Sequence, residues 1–137
     1  MYKVEVSHRK DLVFQAKAGG AQLLIDAKGS GFTPLDALLA GLGSCIGVYI
    51  RKYAAGAKLA VENFKLSVEA ELSQEPPLRF RQINVYLDLG GAQLEERRLG
   101  PLLEFIKNCP VHNTLKGNPE VSIKVWNSPS HKHAKNL

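Results

Sequence analysis

The sequence predicts an α+β fold with an antiparallel-dominated sheet, and three observations carry that prediction. A long uncharged stretch, TPLDALLAGLGSCIGVYI, has helical periodicity. Two alternating segments, ENFKLSVEAELS and RFRQINVYLDL, flank a Pro76-Pro77 turn. The N-terminal segment YKVEVSH alternates in the same way. Strands come first, then a helix, two strands, further helices and a closing strand, an order that fits segregated α+β rather than repeating βαβ units. At 137 residues the chain reads as one domain with room for one substantial core.

The elements follow in order. Tyr2, Val4 and Val6 share one face of a first strand, and a polar tip, HRKD, carries Arg9. LVFQAK returns as the second strand, Gly19-Gly20 turns the chain, and AQLLIDA follows before a KGSGF loop. Thr33-Pro34-Leu35-Asp36 has the form of a capping box, with Thr33 at N-cap, Pro34 at N1 and Asp36 at N3. The helix it opens runs from Pro34 to about Ala55, with Leu35, Leu38, Leu39, Leu42, Ile46, Tyr49, Ile50 and Tyr53 at three- and four-residue spacing. Its other face carries alanine and glycine, so it reads as apolar nearly all round. One small sheet cannot cover such a helix, and a second copy of the chain is expected against it. Gly56 is the expected C-cap. Phe64, Leu66, Val68, Ala70 and Leu72 then alternate in one strand, and Ile83, Val85, Leu87 and Leu89 in the next. LEERRLGPLLEFIKN predicts one or two short helices interrupted at Gly100-Pro101. CPVHNTLKG predicts a short helix and VSIKVW a last strand, closing a domain over 1–127. The polar remainder, 128–137, is expected to be disordered.

Composition excludes several functions. The N-terminus lacks the apolar core of a secretory signal, and the longest uncharged run, Ala37 to Ile50, is too short to span a bilayer. A cytoplasmic protein outside the membrane is expected. The net charge of +5 is spread along the chain, which fits a solvated surface and no nucleic-acid partner. No glycine-rich phosphate cradle, no Ser-His-Asp order and no zinc spacing occurs, so no cofactor and no metal is expected.

The two cysteines, Cys45 and Cys109, stand 64 positions apart. In a reducing compartment they are two inert buried thiols or a working pair. Gly41, Gly43 and Gly47 around Cys45 cost a helix roughly 1 kcal/mol each relative to alanine. Close approach of another helix, or room for a ligand beside the sulfur, would offset that loss. Pro110 disfavours helical geometry at Cys109 and suits N1, so Cys109 is the expected N-cap of its helix. There the dipole and free amides favour a thiolate, which predicts a depressed pKa for Cys109. His112 falls within the first turn as a candidate base, or as an ordinary surface or core histidine. Asp36 is a cap residue by position and a candidate partner for a catalytic arginine. Arg9 is a loop arginine or that catalytic one.

TPLDALLAGLGSC, followed 64 residues later by CPVHNTL, resembles the OsmC/Ohr superfamily of organic hydroperoxide reductases and osmotically inducible proteins, nearest its YhfA-like branch. The resemblance extends over nearly the whole chain in element order. It implies an intertwined α+β homodimer with long central helices at the interface and two sites between subunits. Cys45 would attack an organic hydroperoxide and become a sulfenic acid, and Cys109 would resolve it as a disulfide. A dithiol, such as a lipoylated protein, would reduce that disulfide. The roles reverse the order of reactivity read from the helix dipole. The hydroperoxide reductases carry a glutamate ten residues before the first cysteine, where this chain has Leu35; Asp36, nine before, is the nearest acid. Arg9 is the only arginine in the N-terminal segment that supplies the family's activating arginine. An OsmC-like protein that senses or binds a small molecule is the alternative implied by these departures.

Overall fold

A computed structural model of the chain describes residues 1–92, 94–127 and 130–136. Strands β1 (Glu5–Lys10), β2 (Val13–Ala18) and β3 (Ala21–Asp26) form an antiparallel meander. The expected tip shifts by two residues. Asp11 takes the left-handed conformation (φ 47°) in the β1–β2 turn, which places Arg9 inside β1. Tyr2 and Val4 lie ahead of that strand.

Helix α1 (Pro34–Gly56) begins as the sequence dictates. The Asp36 N–H donates to Thr33 Oγ1 (3.1 Å), and the Thr33 N–H donates to Asp36 Oδ2 (3.0 Å), a complete capping box. Gly56 is the last helical residue, and Ala57 rather than Gly56 is the C-cap. Strands β4 (Lys65–Leu72) and β5 (Phe80–Asp88) pair antiparallel, with Val68 opposite Val85 and Ala70 opposite Ile83 on one face. In β4 partly buried residues alternate with exposed ones, as a sheet with one covered face requires, and in β5 the run Ile83–Asn84–Val85 is partly buried throughout.

Helix α2 (Glu96–Ile106) runs straight through Pro101, against the expected break. Proline removes one backbone hydrogen bond, but Leu102, the next residue, is buried to 2% exposure in the core. Packing of that leucine and its turn outweighs the lost bond. Helix α3 (Pro110–Gly117) starts at the expected place and ends at Asn118 in the left-handed conformation. Strand β6 (Lys124–Asn127) pairs with β7 (Ser130–Asn136), so residues 130–136 form a hairpin strand where polar composition predicts disorder. Ser128, Pro129 and Leu137 of that tail lie outside the described residues. Polarity argues against burial, but a two-stranded ladder needs only backbone partners.

The core is centred on α1. Leu42, Ile46, Ile50 and Ala54 form one buried stripe, joined by Val61, Leu102 and Cys109. By length and composition α1 could cross a membrane, yet it packs on β4, α2 and α3 as a core helix does. The chain therefore has the α+β architecture of antiparallel sheets around a long central helix. The glycines explain the packing. A Cβ on Gly43 would meet Val68 Cγ2 at 3.0 Å, and one on Gly47 would meet Leu66 Cδ1 at 3.4 Å. Both serve the close approach of a strand, where the sequence pointed to a helix or a ligand.

Gly43→Ala is expected to destabilise the fold by about 1 kcal/mol, because overpacking against Val68 exceeds the helix-propensity gain of roughly 1 kcal/mol. In a Val68→Ala background the same change should be neutral or stabilising. Denaturant titration of the four proteins measures this coupling; additive effects would mean that Val68 is not the obstacle.

Candidate active site

Cys45 lies on α1 one turn after Leu42, half-buried, and Cys109 lies at the N-cap of α3, fully buried. The fold brings the two together. Both thiols are free, and Cys45 packs in the cluster that contains Cys109. Cys45 is close enough to act on the Cys109 thiol both as a hydrogen-bond partner and as a like charge.

Cys109 sits in the extended conformation that Pro110 imposes, and its sulfur accepts the His112 N–H at 3.4 Å. The cap geometry is the one expected, but its electrostatic consequence is not. Burial pushes the Cys109 thiol above its ordinary range, Cys45 adds to that rise, and the amides of His112 and Val111 oppose it without prevailing. Loss of solvation outweighs two amide contacts, so the Cys109 thiol is harder to ionise than an ordinary cysteine. This reverses the depressed pKa read from the helix end.

Asp36 and Arg9 are not brought to the thiols within one chain. Nine residues separate Asp36 from Cys45 on α1, which puts them about 13 Å apart along the axis and half a turn apart around it. Asp36 lines a recess with Gly43 and Val68 on the β4 side of the helix. Its carboxyl is held below the ordinary carboxylate range, first by the Thr33 backbone and then by the Thr33 hydroxyl. Arg9 is exposed on the meander and donates from Nη1 to Gln15 Oε1 (3.0 Å). The groups that act on the Cys109 sulfur are Cys45, His112 and Val111, and Arg9 is not among them.

An aromatic wall next to Cys45 escaped the sequence reading. Phe105 of α2 meets Tyr49 at 5.9 Å and Tyr53 at 5.8 Å between ring centroids, both tilted. Tyr49 is four residues beyond Cys45 and so shares its face. That spacing was the available signal, but it was absorbed into the apolar periodicity of α1. Among the described residues no group of three His, Cys, Asp or Glu side chains gathers in a way that could hold a metal ion.

The two thiols thus share one apolar cluster, reached from a glycine-packed helix and a proline-set cap. The OsmC-like protein family matches residues 27–124. The chain belongs to the OsmC-like family. It is 26% identical over 132 residues to the hydroperoxide reductase of Mycoplasma pneumoniae, covering 90% of this chain and 93% of that protein. The crystal structure of the OsmC-like protein from the same organism superposes with a TM-score of 0.74 at 26% identity, covering 85% of this chain and 88% of that one. The organic hydroperoxide resistance protein OsmC of Legionella pneumophila shares the fold, with a TM-score of 0.62 at 21% identity, covering 86% and 92% of the two chains.

Two outcomes test the local chemistry. In a Cys45→Ser variant the remaining thiol should alkylate slowly at neutral pH, its rate rising only above the ordinary thiol pKa of about 8.5; a midpoint below that value would restore the dipole reading. Asp36→Asn should weaken the fold at neutral pH only. A depressed carboxyl pKa contributes stability above the ordinary carboxylate range and loses it as pH falls through the folded-state pKa. Thermal unfolding of both proteins should therefore converge in acid, and a constant gap at every pH would refute the assignment.

Proposed function

We propose that the chain is a thiol-dependent peroxidase acting on organic hydroperoxides. The Cys45 thiolate attacks the O–O bond, releases the alcohol and becomes a sulfenic acid. Cys109 then gives up its proton and displaces water from that sulfur, leaving a Cys45–Cys109 disulfide. A dithiol, either a small molecule or a lipoylated protein, takes up the oxidation and returns both thiols. The observation that carries the reading is the meeting of two cysteines, 64 positions apart, in one apolar site. The name of the Mycoplasma pneumoniae relative, hydroperoxide reductase, supports it. Placement nearest the YhfA-like branch belongs to the same proposal and rests on a sequence resemblance alone: that branch also has its acid nine residues before the first cysteine, where this chain has Asp36. A cytoplasmic location fits this chemistry, since both thiols must start reduced.

The working unit in this reading is an intertwined homodimer. Leu35, Leu38 and Val48 of α1 are between 39% and 50% exposed, and Val6 and Leu24 of the meander are each 60% exposed. A second copy would cover these surfaces and could carry its own Arg9 to Cys45, where a guanidinium stabilises a thiolate and donates to a peroxide oxygen. The second reading, an OsmC-like sensor or small-molecule binder with little turnover, is favoured by the placement of Arg9 and Asp36 away from the thiols within one chain.

Steady-state peroxide consumption with a dithiol separates the readings. Cys45→Ser should abolish turnover, and Cys109→Ser should allow one oxidation per subunit and then stop. Arg9→Ala should lower the rate constant for peroxide about tenfold, or roughly 1.4 kcal/mol, with partial recovery in Arg9→Lys. Full turnover in Cys109→Ser would remove the resolving role. Sedimentation at micromolar concentration should give twice the 15.0 kDa chain mass, and a monomer would remove the shared site.

A further inference from the structure

Between β5 and α3 lies a cavity of about 390 Å³ with both apolar and cationic side chains in its lining. Leu42, Ile83, Val85 and Leu115 give it apolar surface, and Arg81, His112 and Lys116 stand among its lining residues. That volume is in the range of small-molecule sites. Neither cysteine lines the cavity, but Leu42 stands one turn before Cys45, and the backbone N–H of His112 donates to the Cys109 sulfur at 3.4 Å, so its lining neighbours the dithiol site.

The charges in the lining are of one sign. Among the described residues no carboxylate lines the cavity. Lys116 makes no ion pair among the described residues. Arg81 does pair, through Nη2 to Glu71 Oε1 at 2.7 Å, and a guanidinium bound through one nitrogen keeps further N–H donors. Lys116 lies in the last turn of α3, where a cation suits the helix dipole. That accounts for its charge at the helix end, but it leaves the coincidence of two cationic side chains, an imidazole and apolar surface in one cavity.

We propose that this cavity recognises a small carboxylate-bearing amphiphile, with Lys116 and Arg81 as specificity-determining residues for its head group. The apolar chain rests on Leu42, Ile83, Val85 and Leu115, on the elements that neighbour the two cysteines. The proposal rests on the peroxidase reading for the ligand's role, since either the hydroperoxide or the thiol reductant could bear the carboxylate. Binding itself is independent of that reading.

The first measurement uses redox-inert probes, so that failure of peroxidase activity cannot decide it. Calorimetry on the reduced protein should show octanoate binding more tightly than 1-octanol. Lys116→Gln should weaken octanoate about fivefold, the effect of roughly 1 kcal/mol for a partly exposed charge contact. It should leave octanol unchanged, and Lys116→Arg should restore the preference. Equal binding of the two probes, or a preference that survives Lys116→Gln, overturns the proposal. The second measurement assigns the ligand's source. KM is compared in wild type and Lys116→Gln for an alkyl hydroperoxide with and without a terminal carboxylate, and for dihydrolipoate against dihydrolipoamide. A rise in KM confined to the carboxylate form of the first pair assigns the cavity to the hydroperoxide. The same rise in the second pair assigns it to the reductant, and no rise in either overturns the proposed role.

Discussion

The close approach of α1 to β4 fixes the rest of this molecule. Gly43 and Gly47 stand four residues apart on one face of the helix, and their missing side chains let Val68 and Leu66 reach its backbone. A helix held at these two points cannot rotate. Cys45, midway between them in sequence, lies about 200° around the axis from each, which turns it toward α2 and α3. The glycines cost helix propensity at their own positions, and that cost secures the direction of the thiol. The capping box at Thr33 and Asp36 fixes where the same helix begins.

The second cysteine is positioned by a different device. Pro110 sets the backbone of Cys109, and the buried sulfur takes the place of the usual cap oxygen by accepting the His112 N–H. Two effects then oppose each other at one atom. Amides at a helix start favour a thiolate, and removal from water disfavours it; here burial is the larger. Cys45 is partly accessible, and Cys109 is enclosed, with its thiol pushed above the ordinary range by burial.

Much of this was legible in the sequence because it is local. Thr33-Pro34-Asp36 predicted the start of α1, alternation predicted β4 and β5, and Cys109-Pro110 predicted the start of α3. The features that escaped depend on contacts far along the chain. Helix α2 continues through Pro101 because Leu102 is buried in a core that its own segment does not reveal. The partner of Gly43 is Val68, 25 positions away, so the sequence could show that something must approach but not that it is a strand. The pKa of Cys109 depends on burial by α1, which the cap motif alone does not contain. Pairing 130–136 with β6 likewise depends on a ladder that polar composition does not report. For the site, the two cysteines were evident, but the sequence could not tell that Arg9 lies in a strand bonded to Gln15 rather than at a free tip.

Folding brings two distant thiols into one apolar cluster, and the central proposal is that they act there as one redox unit. The direct measurement is thiol titration followed by peptide mass mapping after a substoichiometric addition of cumene hydroperoxide. The account predicts two thiols lost for each peroxide consumed, with Cys45 and Cys109 of the same chain joined. Loss of a single thiol without a bond, a linkage between chains, or no loss at all would contradict it.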